Sequence, residues 1–220
     1  LHSTSRRQRQ MCIRDSYSGK YDPFLIKKTL DDLHIEVMCG TPTIFNQLSR
    51  LYRGTEINRS IRKMALSGEC LSKEIAANIR KVFPKADIYN IYGLTENSPR
   101  VSFLPPSKFD ECPESVGIGL VDTMIRIVDD NGDDVEKGKP GHVVVKSKSV
   151  MLGYYKEQQE TNNKIRDGYL WTGDMGYKDS SNNLYILGRS DDMIIKAGLN
   201  IYPREIESIL LRLSLIHISE

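Results

Sequence analysis

Apolar positions along the chain fall into two textures that meet near Ser115. In the first they recur at helical spacing. Asp22-Pro23 reads as an N-cap with proline at the first helical position, and Phe24, Ile26, Leu30 and Leu33 mark the stripe behind it. Thr41-Pro42 repeats the signal, followed by Ile44, Phe45, Leu48 and Leu51. Ser72 can cap a third helix carrying Ile75, Ile79 and Val82, which Pro84 closes. Residues 62–66, ending at Ser67-Gly68, and Ile88 to Ile91 are short strand candidates. This alternation predicts an α/β layer with parallel strands.

From Ser115 to about Leu187 the apolar runs become short and are split by turn residues. Met124–Val128 alternates and meets a hairpin signal at Asp129-Asp130-Asn131-Gly132; Val143–Lys146, Leu170–Trp171 and Leu184–Leu187 continue the pattern, with a turn at Asn182-Asn183. A β-barrel or β-sandwich subdomain attached to the α/β body is predicted. After Gly188–Asp192 come an apolar strand over 193–195 and a helix begun by Pro203 with Ile206, Ile209 and Leu210. There is no internal repeat or low-complexity stretch.

Composition narrows the picture. No apolar run approaches the twenty residues of a membrane span. The charged fraction is 27% and nearly balanced, unlike an acidic disordered chain, and a net charge of +2 argues against nucleic acid as a partner. Four cysteines (Cys12, Cys39, Cys70, Cys112) form no C-x-x-C pair, so neither a zinc site nor a disulfide scaffold is indicated. The positive charge is local. Residues 1–16 hold Arg6, Arg7, Arg9 and Arg14 against Asp15, residues 213–220 hold only Glu220, and residues 17–212 balance to zero. Residues 1–16 have no secretory h-region and no amphipathic period. The stretches QRQMCIRDS and LSLIHISE resemble translated library-adapter sequence, and both flanks are expected to be non-native.

Two glycine patterns imitate nucleotide-binding loops. Between Gly132 and Gly138-Lys139 five residues intervene instead of four, and Pro140 stands where a magnesium-binding Ser or Thr belongs, so a polar hairpin turn is the better reading. Gly117-Ile118-Gly119 begins like a dinucleotide fingerprint, but Asp122 occupies the third glycine's place. His2, His34, His142 and His217 show no metal spacing and read as ordinary polar positions.

Three other segments carry chemistry. Tyr89-Asn90-Ile91-Tyr92-Gly93-Leu94-Thr95-Glu96 delivers a glycine, a hydroxyl and a carboxylate from the end of a strand. Thr95 can bond a phosphate oxygen, Glu96 can hold Mg²⁺, and Tyr92 offers a face for a base; a polar turn at a strand end explains the same residues. Asp167-Gly168-Tyr169-Leu170-Trp171-Thr172-Gly173-Asp174 places a carboxylate able to accept both hydroxyls of a ribose, or else forms a capped β-turn. Gly188-Arg189-Ser190-Asp191-Asp192-Met193-Ile194-Ile195-Lys196-Ala197-Gly198 reads as a linker in which Arg189 is a fixed cation suited to phosphate or ribose oxygen.

In this order the three resemble the adenylate-forming superfamily of acyl-CoA synthetases, luciferases and peptide-synthetase adenylation domains. Its patterns are Y-G-x-T-E, then T-G-D, then G-R-x-D-x-x-I-K-x-x-G-x-x-I-x-P-x-E-I-E, the last matched at Gly188, Arg189, Asp191, Ile194, Gly198, Ile201, Pro203, Glu205, Ile206 and Glu207, with Lys196 one place beyond the pattern's lysine. Ser67-Gly68-Glu69-Cys70-Leu71 is similar to the family's G-G-E-x-L, and Pro140-Gly141 and Met151-Leu152-Gly153-Tyr154-Tyr155 also fit. The resemblance covers essentially all of residues 17–212.

It implies roles that composition and spacing do not. Tyr92 stacks on adenine, with Gly68, Glu69, Asn90 and Gly93 around it. Thr95 contacts the α-phosphate, Glu96 binds Mg²⁺, and Asp174 takes the ribose hydroxyls with help from Arg189. Asp191 is the hinge of a small C-terminal domain, and Gly198 and Lys196 border the arm of CoA or phosphopantetheine. Helix 42–52 and the residues around Gly93 border the acyl pocket. The organisation implied is an α/β part of the AMP-binding domain over 17–114, a β-rich subdomain over 115–187, a hinge at 188–192 and the start of a small α+β domain over 193–212. The implied activity is a cytoplasmic ligase joining a carboxylic acid to CoA, or to a carrier protein, through an acyl-AMP made from ATP. Two alternatives stay open: an amino-acid adenylation domain and a non-catalytic nucleotide-binding remnant. The family's upstream phosphate loop and its C-terminal lysine are not in these residues, which implies an internal fragment expected not to catalyse ATP–pyrophosphate exchange by itself. His142 stands where the family has Glu and is expected to be a turn substitution.

Overall fold

The computed structural model describes residues 22–33, 35–52, 58, 60–196, 199–203 and 206. Its first part runs α1 (Pro23–Asp32), β1 (Val37–Gly40), α2 (Pro42–Leu51), β2 (Lys63–Leu66), α3 (Lys73–Val82) and β3 (Asp87–Tyr92). All three helices start where their caps predict. Asp22 accepts from the amides of Phe24 and Leu25, Thr41 from Ile44, and Ser72 from Ile75. α3 ends at Val82, one residue before Phe83 and two before Pro84.

β1, β2 and β3 pair in parallel through the crossovers α2 and α3. The sheet then departs from the all-parallel expectation. β4 (Ser102–Leu104) and β5 (Ile118–Gly119) extend it antiparallel, in the order β1-β2-β3-β4-β5. Only residues 93–101 separate β3 from β4, too few for a crossover helix, so the chain must turn back. β1 is a further strand that the apolar pattern did not mark. It is four residues long, lies at the sheet edge and leaves Val37 exposed, so it carries no clean alternation. Phe45, Leu48, Met64, Leu66, Leu71, Ile79, Phe83, Ile88 and Leu104 form the fully buried core between sheet and helices. The predicted stripe of α1 is only partly used. Leu30 is buried, whereas Phe24 and Leu33 are exposed, because α1 packs chiefly on α2.

After the short α4 (Pro106–Phe109), the β-rich stretch forms a second, antiparallel sheet. It comprises β6 (Met124–Val128), β7 (Gly141–Lys146), β9 (Tyr169–Lys178) and β10 (Leu184–Arg189), in the order β10-β9-β7-β6, with β8 (Ile165–Arg166) paired to β9 and α5 (Gln158–Lys164) leading into it. One face buries Ile125, Ile127, Val143, Val145, Leu184 and Ile186 at the period of two that a half-buried strand requires. Val101 and Val116 join that core, and Tyr92 and Leu94 pack against it, so the end of β3 lies against the second sheet. The hairpin between β6 and β7 is closed by Asp129, whose carboxylate accepts from the amides of Asn131 and Asp133. His142 lies within β7, paired with Val128 and Met175, and its ring meets Asp130 at 2.9 Å. It is therefore a strand residue and not the expected turn substitution.

β11 (Ile194–Lys196) and β12 (Leu199–Ile201) form an antiparallel hairpin. Pro203 and Ile206 are helical, as expected of a helix begun at Pro203; Ile209 and Leu210 lie outside the described residues. Among the described residues no helix is long and apolar enough to cross a membrane.

Candidate active site

Two irregularities in the second sheet aim one carboxylate. Opposite β7, His142 pairs with Met175 but Val144 pairs with Trp171, so residues 172–174 bulge out of that ladder. Opposite β10, Ile186 pairs with Gly176 and Gly188 with Met175, leaving Leu187 as the extra residue. Such bulges bend a strand and redirect its side chains. Gly173 supplies the left-handed φ of +79° within the bulge, and a Cβ there would lie 2.9 Å from Arg189 Nη2 and 3.2 Å from Lys164 Nζ. Thr172 pins the irregular backbone: its hydroxyl donates to the Val143 carbonyl at 2.8 Å and accepts from the Asp174 amide at 3.0 Å.

Two other segments, those of Tyr92 and Arg189, converge on Asp174. The Tyr92 hydroxyl donates to Oδ2 at 2.5 Å. Arg189, directly opposite Asp174 in the β9–β10 register, donates from Nη1 to Oδ1 at 3.1 Å and to the Thr172 carbonyl at 3.2 Å. The Asp174 side chain is 12% exposed and that of Arg189 48%, so the pair is dry on the carboxylate side and open on the guanidinium side. Burial, then the Asp174 charge and hydrogen bond, push the Tyr92 phenol well above its ordinary value, so it stays a donor.

Glu96 and Thr95 lie on the 3₁₀ turn Thr95–Asn97 that follows β3. The turn is locked from below. Buried Asn97 donates to the Arg100 carbonyl at 3.0 Å and accepts from the Ser147 hydroxyl at 2.6 Å. At Gly93 the backbone passes so close that a Cβ would sit 1.7 Å from the Pro99 carbonyl oxygen. Thr95 is exposed and Glu96 half-buried. Glu96 Oε1 accepts from the Tyr154 hydroxyl at 2.7 Å, and its backbone carbonyl accepts from the Met151 amide at 2.8 Å. Burial pushes the Tyr154 phenol up to about 12, with the hydrogen bond and charge of Glu96 adding to it, while the positive charge of Arg189 opposes the rise. The Glu96 pair and the Asp174 cluster thus lie within electrostatic reach of each other. A cleft of about 460 Å³ is lined by Tyr155, Glu157, Glu160, Lys164 and, from the Glu96 pair, Tyr154.

Other predicted site residues are placed less directly. Asn90 is 1% exposed, and its amide donates to the carbonyls of Pro113 at 3.0 Å and Ser115 at 2.9 Å while its Oδ1 is buried without a partner. Glu69 lies three residues beyond the end of β2 and accepts from the Thr43 amide at 3.1 Å and hydroxyl at 2.6 Å, in the first turn of α2. Asp191 is exposed in the turn before β11, where the Ser190 amide donates to the Gly173 carbonyl at 2.8 Å, tying this linker to the bulge. Lys196 is exposed on β11; Gly198 lies outside the described residues. Sequence reasoning gave no role to Tyr154, Thr172 or Lys164. Tyr154 and Thr172 lie inside the segments that resemble the family, but nothing in one dimension pairs a phenol with a carboxylate 58 residues away. No group of three or more His, Cys, Asp or Glu able to hold a metal exists among the described residues.

The profile of the AMP-binding enzyme family matches residues 9–155. The chain belongs to this family. It is 33% identical to a long-chain-fatty-acid–CoA ligase of Yersinia pestis over 83% of its length and 32% of the relative's. It is 35% identical to a 2-succinylbenzoate–CoA ligase of Bacillus mycoides over 87% of its length and 39% of the relative's. The fold superposes on the O-succinylbenzoate coenzyme A synthetase of Bacillus subtilis in complex with AMP with a TM-score of 0.77 at 28% identity, covering 87% of this chain and 39% of that one. The same enzyme in complex with ATP and magnesium gives a TM-score of 0.76 at 28% identity, again over 87% and 39% of the two chains. The α/β fold and the adenylate-forming family agree with the reading of the sequence. The chain spans about a third of the length of the curated relatives it matches, 32% of the first.

Proposed function

We propose that the protein containing this chain is an AMP-forming acid–thiol ligase that activates a carboxylic acid as an acyl-adenylate and passes the acyl group to the thiol of CoA. The observation carrying this reading is the meeting of Tyr92, Asp174 and Arg189, one from each of the three motifs, beside the turn bearing Thr95 and Glu96.

The donor and acceptor arithmetic suits a nucleotide. An ionised carboxylate has about four acceptor positions. Tyr92 uses one on Oδ2 and Arg189 one on Oδ1 of Asp174, which leaves two for the vicinal hydroxyls of a ribose. Tyr92 presents its ring to adenine near Gly68, Glu69, Asn90 and Gly93, and Thr95 offers its exposed hydroxyl to the α-phosphate. Arg189 meets phosphate or ribose oxygen through its open side. Glu96 fits Mg²⁺, because this ion is usually bound through one or two carboxylates together with substrate phosphates. When bound, the ion neutralises charge on the triphosphate as a carboxylate approaches it. Asp191 serves as the hinge of a mobile C-terminal part, with Lys196 and Gly198 toward the pantetheine arm of CoA or of an acyl carrier protein. A cytoplasmic location belongs to the same reading.

The test is ATP–pyrophosphate exchange by the full-length protein over a panel of fatty and aryl carboxylic acids, followed by CoA-dependent release of AMP. One acid class is expected to support both, and Asp174→Ala to abolish both. ATP binding without exchange on any acid would instead assign a non-catalytic nucleotide-binding protein.

A further inference from the structure

The segment from Met151 to Thr161 grips Glu96 twice, by side chain and by backbone. The Tyr154 hydroxyl reaches Oε1 at 2.7 Å, and the Met151 amide reaches the Glu96 carbonyl at 2.8 Å. Tyr154 is itself held in place by polar contacts. Its amide donates to Thr161 Oγ1 at 2.8 Å, and that hydroxyl donates to the Glu157 carbonyl at 2.9 Å. Gly153 lets the loop pass over Thr161, where a Cβ would come within 2.7 Å of Thr161 Cγ2. Neighbouring Leu152 and Tyr155 are almost fully exposed, whereas Met151 and Tyr154, which make the two contacts with Glu96, are half-buried. The last torsion of a glutamate is broad and roughly two-fold. A donor at 2.7 Å on one oxygen restricts that rotation and gives the other oxygen a preferred place.

We propose that Tyr154 is a positioning residue that holds Glu96 through Oε1 so that its second oxygen is oriented for the divalent cation of the ATP complex. The proposal rests on the ligase reading of Glu96 given above. Mg²⁺ demands near-ideal octahedral geometry, so the orientation of a single protein carboxylate weighs heavily on affinity.

The experiment measures Mn²⁺ binding to the full-length protein in the presence of ATP, by electron paramagnetic resonance of the free ion. Wild type, Y154F, E96Q and Y154F/E96Q are compared, each with its thermal midpoint. Y154F keeps the ring and removes only the hydroxyl. It is expected to raise the half-saturating Mn²⁺ concentration by roughly tenfold, as loss of an outer-shell partner does. It is expected to leave the KM for the acid unchanged and to add nothing in the E96Q background. If E96Q weakens Mn²⁺ binding and Y154F does not, or if the two effects add in full, Tyr154 does not act through Glu96 and the proposal falls alone. Unfolding of Y154F would make Tyr154 a structural residue and overturn it too. If E96Q leaves Mn²⁺ binding intact, the metal role of Glu96 falls and the proposal falls with it.

Discussion

Tyr92 and Asp174, 82 residues apart, share a 2.5 Å hydrogen bond that fastens the end of β3 in the mixed sheet to the bulge of β9 in the antiparallel one. The bond runs to a largely buried carboxylate, so it belongs to the stronger class of hydrogen bonds. Y92F is expected to destabilise the fold by about 2 kcal/mol in urea unfolding. A double-mutant cycle with D174N should give a coupling of about 1 kcal/mol or more. Full additivity of the two substitutions would show that the residues do not communicate in solution.

Asn90 separates a structural role from a ligand role. Its amide satisfies two backbone carbonyls, those of Pro113 and Ser115. Removing it in N90A leaves both without that donor and is expected to cost about 2 kcal/mol of stability. Thermal unfolding and nucleotide titration of the same variant decide between the roles. A lower midpoint with unchanged nucleotide affinity makes Asn90 a fastener of the 113–115 loop; the opposite result gives it direct contact with the ligand.

The helices of the first part were legible because their caps are local. Asp22, Thr41 and Ser72 each bond amides two or three residues on, so their meaning does not depend on the rest of the fold. The turn at β4 was not legible, since antiparallel pairing with β3 is decided by the space between elements and not by the composition of Ser102–Leu104. The same contrast holds at the site. Thr95, Glu96, Asp174 and Arg189 stood out by motif, yet the motif did not say that Asp174 sits in a double bulge or that Arg189 is its cross-strand partner. Tyr154 does not stand out in the sequence because its bond to Glu96 is made only by folding.

Gly93 and Gly138 make a paired test of close approach against backbone strain. At Gly93 an added Cβ collides with the Pro99 carbonyl, on the loop that carries Thr95 and Glu96. G93A is expected to lose about 3 kcal/mol and to displace that loop, because backbone atoms cannot step aside as side chains do. Gly138 has a φ of +83° but nothing within 4 Å, so G138A meets only the conformational penalty, about 1 kcal/mol. Urea midpoints rank the two. Equal losses would mean that residues 93–99 do not pass as closely as described.

Asp179 makes the β9–β10 turn sensitive to acid. Its carboxylate accepts from the Asn183 amide at 2.8 Å and side chain at 2.9 Å, with the Tyr185 hydroxyl at 3.4 Å. Burial alone would raise its pKa, but these bonds and the Ser181 amide outweigh it and hold the carboxyl below the usual value. A carboxyl whose pKa is depressed in the folded state contributes stability that is fully present above its unfolded pKa, about 3.9. That contribution fades as pH falls through the lower folded value. D179N removes the charge and is expected to cost about 1 kcal/mol near neutrality. The gap between wild type and D179N should stay constant from about pH 7 to pH 5 and narrow below about pH 4. Denaturant unfolding of both proteins across that range is the measurement, and a gap that widens in acid would reverse the assigned direction of the shift.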